Sequence, residues 1–198
     1  NKCSTRESAI KVMKKSMSES EWLENKIEID KIKSRVTNHR LSSHAAIRVL
    51  ESSKLELENL VAIHLDYRHA IVEVFTDALL MAQFQARQLD SRLTSGAKLA
   101  PRFLLTLNVL DEFGFMPGAS GERYYKGDPR NAHLPLYERL LDHLGVSQAK
   151  RKEHLPSSLS KAVRGCLEAS YDNYQEILVH LAVAEHQVIL FSQPLRRA

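Results

Sequence analysis

Residues 101–115 read PRFLLTLNVLDEFGF, and this stretch decides the fold class. From Phe103 to Leu110 nearly every position is apolar. A helix that is apolar around so much of its circumference belongs inside a bundle rather than on its surface. Pro101 suits the first turn of such a helix, where its missing N–H costs nothing, and Gly114 is the stop signal. Asn108 and Glu112 stand four residues apart and share a face. A carboxylate on a helix of this kind must reach solvent at the helix end, or be neutral, paired or metal-bound, because an unpaired buried charge is very costly.

Working outward, the rest of the chain is consistent with an all-α domain. Its 198 residues suffice for one hydrophobic core. Only 7 glycines and 6 prolines are present, too few to mark the turns of a β-rich domain of this length. Residues 5–38 read as one highly charged helix with a loose apolar stripe of Trp22, Ile27, Ile29, Ile32 and Val36. This gives an N-terminal helical arm over 1–40 and a helical bundle over 41–198. Leu55 to Leu93 is the longest periodic run, one helix or two joined by a kink, ended at Thr94-Ser95-Gly96. The segment 114–130 is the longest irregular stretch and therefore a candidate functional loop. Asn131 is placed as the cap of the next helix, which Gly145 closes. Pro156-Ser157-Ser158 opens another, and a last helix runs from Cys166 to Phe191, with Pro194 beyond it.

Composition excludes several function classes. The net charge of +4 from 28 basic and 24 acidic residues is mild and interleaved. No basic stripe with interspersed aromatics suggests nucleic-acid binding. No stretch approaches the twenty apolar residues of a membrane span. Cys3 and Cys166 form no ligand spacing, so a reducing, cytoplasmic setting is expected. Glycine-rich phosphate loops and nucleophile elbows are absent.

The candidate chemistry lies in isolated polar groups on apolar helices. Glu185 is the only acid between Ile177 and Phe191, in the middle of the last helix. His133 sits in the first turn of its helix, where the positive dipole end favours the neutral imidazole that binds metals. Asp66, His69, Glu73 and Asp77 follow at steps of three, four and four and fall on one helical face. That face is either a solvated polar surface or an inward-pointing ligand set of the kind found in di-iron bundles. Oxygen and imidazole donors without thiolate suit iron or manganese.

Three segments in order, LNVLDEFGF, GDPRNAHLPLYERLLDHLG and HLAVAEH, resemble the heme-oxygenase-like diiron oxidases and oxygenases, the iron-containing redox enzymes. The matching positions are Asn108, Asp111, Glu112 and Gly114; Gly127, Asp128, Pro129, Ala132 and His133; and Leu181, Ala182 and Glu185. The resemblance spans about residues 45–190. It implies an up-and-down heme-oxygenase-like bundle, with Glu112, His133 and Glu185 as iron ligands. Glu112 and Glu185 would bridge, His133 would be terminal, and the first core helix would add a carboxylate from Asp77 or Glu73, with Asp66 behind them. Residues around Met116–Tyr125 look like an insertion relative to that family. Its last ligand-bearing helix is missing or disordered in this chain, and order is expected to fade after Pro194. The implied cofactor is iron, two per chain when that helix is present, with O2 as co-substrate. The implied reaction is oxidation of a small amine or amino-acid-derived molecule, by N-oxygenation, oxidative C–C cleavage or desaturation. Arg102, Arg123, Tyr124 and Tyr125 are the residues offered for holding substrate, and a homodimer is the oligomer to test for. The alternatives are a metal-free thiaminase-II-like hydrolase using Cys166, a non-catalytic helical interaction protein, and a heme binder.

Overall fold

In a computed structural model the described residues are 4–52, 55–89, 94–115 and 127–197. Among them the chain is helical throughout. The only β feature is an isolated antiparallel bridge between Phe115 and Gly127. The helices are α1 (Thr5–Lys15), α2 (Glu19–Thr37), α3 (Ala45–Ser52), α4 (Leu57–Tyr67), α5 (Phe75–Gln85), α6 (Ser95–Glu112), α7 (His133–His143), α8 (Gln148–Glu153), α9 (Ser158–Ala169) and α10 (Tyr174–Arg197). None of the described helices is long and apolar enough to cross a membrane.

Helix α5 is the centre of the bundle. Ala78, Ala82 and Ala86 along this segment are 0% exposed. Their small side chains let α6 and α10 approach its backbone closely. Val74, Phe75 and Leu79 then fill the core together with Leu105 and Val109 of α6, Leu167 of α9, and Ile177, Leu181 and Ala184 of α10. A second, smaller cluster of Val61, Leu65, Leu141 and Val146 joins α4 to α7 and its following turn. Buried Gln85 donates to the Tyr171 carbonyl at 3.0 Å, fastening the end of α5 to the turn before α10.

Several boundaries differ from the sequence expectation for identifiable reasons. The charged N-terminal region is two helices, because Ser18 and Glu21 form a capping box that starts α2 afresh. The first helix, α1, is not part of a free arm: it packs on α6 with Ala9 buried. Helix α6 starts at Ser95 with Thr94 as its N-cap, so Thr94-Ser95-Gly96 opens a helix rather than closing one, and Pro101 lies inside it. Asn131 lies in the 3-10 turn Pro129–Asn131, and the N-cap of α7 is Ala132. Pro194 is also inside its helix, and α10 runs to Arg197. Between α4 and α5 the expected kink is a π turn, Arg68–Val72.

Candidate metal centre

The end of α6 and the start of α7 are held together by backbone. Gly114 takes φ +78°, and a Cβ there would stand 2.5 Å from the Asp128 carbonyl oxygen and 2.6 Å from the Ala132 nitrogen. Only glycine permits both the left-handed turn and that approach. Asp128 N–H donates to the Gly114 carbonyl at 3.2 Å, and Phe115 pairs with Gly127. Glu112, two residues before the turn, is thereby placed beside His133. His133 Nδ1 lies 2.8 Å from Glu112 Oε1, with the Glu112 side chain largely buried and the imidazole half-exposed.

Glu185 comes to the same place from α10. The three side chains line one cavity of about 690 Å³. Its walls are mainly apolar: Leu60, Ile71, Val72 and Phe75 on one side, Leu136, Leu140 and Leu144 of α7 on another, and Val188, Phe191 and Leu195 of α10. Tyr67, His64, Tyr137, Ser192 and Arg196 are its other polar members. Burial pushes the Tyr67 hydroxyl up to about 12, with Glu185 and Glu112 adding to the effect. His64 Nδ1 lies 2.7 Å from the Tyr137 hydroxyl, which donates to the His64 carbonyl at 3.2 Å. The Tyr67 ring sits 6.1 Å from that of Tyr137 and 6.2 Å from that of Phe191, centroid to centroid.

The electrostatics are those of an acidic pocket. Burial raises the Glu185 pKa and the neighbouring Glu112 raises it further, against His133 and Arg6 of α1. The His133 pKa is raised, first by its hydrogen bond to Glu112 and then by the charges of Glu112, Asp111 and Glu185, against the effect of burial. The helix N-terminus was expected to keep this imidazole neutral. Carboxylates in contact outweigh a dipole worth well under 2 kcal/mol at an exposed site.

The other predicted residues lie elsewhere. Asp66, His69 and Glu73 face the α8–α9 segment rather than the cavity. Asp66 Oδ1 accepts from Ser157 N–H at 3.1 Å and lies 3.0 Å from His154 Nε2. Ser160 meets His69 Nδ1 at 2.9 Å and donates to the Asp66 carbonyl. Glu73 is ion-paired with Arg68 and with Arg164, the latter at 2.8 Å. Asp77 is exposed, near enough to Tyr171 to raise its pKa. Neither Glu73 nor Asp77 lines the cavity. Arg102 Nε donates to the Gln83 carbonyl at 3.0 Å and serves the α5–α6 contact. Arg123, Tyr124 and Tyr125, like Cys3 and the insertion around Met116–Tyr125, lie outside the described residues. Cys166 is exposed and unpaired by disulfide.

The cavity residues that sequence reasoning missed, His64 and Tyr67, had a signal. Leu60, His64, Tyr67, Ile71 and Phe75 recur at steps of four, three, four and four, the helical face opposite the acidic one.

The donor set can be tested against metal chemistry directly. Glu112 and His133 are bonded to each other, and Glu185 stands as an acid whose ionisation burial and Glu112 disfavour. Two carboxylates and one imidazole suit a single divalent cation of the iron or manganese type, which would relieve the repulsion between the acids. They do not suit a pair of metals: α4 brings a histidine and a tyrosine to the cavity and α5 brings Phe75, not a carboxylate. The fit to a single cation is one of donor type alone: among the described residues, no three His, Cys, Asp or Glu side chains are grouped so that they could hold a metal ion. Comparison with known proteins finds no protein family, no curated protein and no solved structure that matches the chain.

Proposed function

We propose that the chain is a non-heme iron oxidase or oxygenase of the heme-oxygenase-like type, acting on a small, largely apolar amine or amino-acid-derived substrate. The observation that carries this reading is the convergence of Glu112, His133 and Glu185, from α6, α7 and α10, on one apolar cavity. They are the three residues for which the family resemblance implies iron ligation. Glu112, His133 and Glu185 would hold one iron, and a second would require ligands from outside the described residues. Bound there, iron would supply activation of O2 for oxidation of the substrate.

The protein's own part follows from the cavity. Leu136, Leu140, Val188 and Phe191 give the site an apolar wall that would seat an apolar substrate body. The two carboxylates draw a cationic head group toward the site. Tyr67, kept protonated by burial, offers a hydroxyl donor at the cavity wall.

Anaerobic titration with Fe(II), read by calorimetry and by thermal unfolding, tests the reading. Iron should bind at about one equivalent through these ligands and raise Tm, since a ligand at a hundred times its Kd adds about 2.7 kcal/mol. Glu112→Gln, His133→Ala and Glu185→Gln should each abolish the shift. An unchanged Tm and no heat of binding would sink it. The apolar walls around two acids favour a second reading, a non-catalytic receptor for a small apolar cation. In that case an alkylammonium probe would raise Tm and iron would not.

A further inference from the structure

The two most exposed large apolar side chains among the described residues belong to one corner of the bundle. Leu155, in the link between α8 and α9, is 86% exposed, and Leu159, in the first turn of α9, is 72% exposed. A lone exposed leucine is ordinary, but this pair is held outward by its neighbours. Asp66 grips the link on both sides of Leu155: its carboxylate lies 3.0 Å from His154 Nε2 and accepts from Ser157 N–H at 3.1 Å. Ser160, next to Leu159, is buried and donates to the Asp66 carbonyl at 2.9 Å. With 154, 157 and 160 turned inward, the leucines between them face out. Ala162 and Cys166 continue the exposed side of α9 beyond Leu159 at steps of three and four.

The surroundings are basic. Residues 148–164 carry Lys150, Arg151, Lys152, Lys161 and Arg164 against one acid, Glu153. The acids that reach this corner are already engaged. Asp66 is held as described, Glu73 pairs with Arg68 and Arg164, Glu138 with Arg68 and Arg151, Asp142 with Arg151, and Glu168 with Arg164. These pairs also occupy Arg151 and Arg164. Lys150, Lys152 and Lys161 are exposed and have no ion-pair partner among the described residues, and the only acid of the segment, Glu153, does not balance them. Lys152 also lines a cleft of about 470 Å³ together with His154 and Pro156 of the same link.

We propose that this corner docks on an anionic membrane surface, with Leu155 and Leu159 entering the headgroup layer and Lys150, Lys152 and Lys161 at its charged face. The cations left free are lysines, flexible and hydrated point charges without the planar fork that reads a fixed carboxylate, which suits a fluid anionic surface better than a rigid acidic protein. Two leucines and three lysines give a weak, reversible attachment.

Flotation of the full chain with vesicles tests this, using phosphatidylcholine alone and phosphatidylcholine mixed with phosphatidylserine. The wild type should float with the mixed vesicles, stay off the neutral ones, and detach as salt is raised. L155Q/L159Q and K150Q/K152Q/K161Q should each bind at least about tenfold more weakly. Their circular dichroism should be unchanged, because all five side chains are exposed. I189Q, which removes a side chain 69% exposed on α10, should float like the wild type. A wild type that stays off the mixed vesicles would overturn the proposal. So would equal flotation with neutral vesicles, an L155Q/L159Q variant that floats as well as the wild type, or an equal loss in I189Q. Self-association without vesicles that L155Q/L159Q abolishes would assign the leucines to a second copy and overturn it as well.

Discussion

Gly114 and Gly145 separate two costs that single residues impose. Both have positive φ, +78° and +72°. A Cβ on Gly145 meets nothing within 4 Å, whereas one on Gly114 collides with the backbone before α7. Gly145→Ala should therefore cost about 1 kcal/mol in urea unfolding, the left-handed penalty alone. Gly114→Ala should cost more than about 2 kcal/mol, and it should also remove the iron-induced rise in Tm, because it parts Glu112 from His133. His64 gives a pH prediction. Burial lowers its pKa below the ordinary 6.5. The unfolded chain then binds the proton first, so stability that is present above pH 6.5 is lost as pH falls toward the folded value. His64→Gln should flatten the decline of Tm between about pH 7 and pH 5. Of the candidate site, Glu112 and Glu185 stood out in the sequence because each is an isolated acid in an apolar run, although Glu185 is exposed in the fold. The raised pKa of His133 did not, because the acids that set it come from other helices.

At the scale of elements, the polar face of Asp66, His69, Glu73 and Asp77 was visible in the periodicity, yet its partners were not. Ser157, Ser160 and Arg164 lie about ninety positions downstream, and no local pattern ties them to it. The face is a seam that holds α9, fixed at the π turn where the helical register slips. Glu73→Gln should accordingly lower stability by about 1–2 kcal/mol by loosening Arg68 and Arg164, and leave iron binding unaltered. Equal loss of iron binding in Glu73→Gln and Glu185→Gln would contradict this division. Helix ends were the least legible feature. Pro101 and Pro194 both read as boundaries, yet both lie within helices. Tertiary packing outweighs the local cost of proline here, since both residues are buried.

For the whole molecule, stability rests on the close approach around α5. Leu79 is 1% exposed, and Leu79→Ala should cost about 2–5 kcal/mol in equilibrium unfolding. Helix α1 covers α6 and carries Arg6 toward Glu185, so removing residues 1–16 should lower Tm. The all-α class followed from composition and period. The docking of α1 did not, because its contact with α6 rests on Ala9, a residue with no pattern of its own. The backbone bridge between Phe115 and Gly127 has a practical side. It closes the route between α6 and α7 before the intervening eleven positions begin, so their number and identity are decoupled from the geometry of Glu112 and His133. Joining segments of other lengths between Phe115 and Gly127 should accordingly leave the Glu112–His133 contact in place.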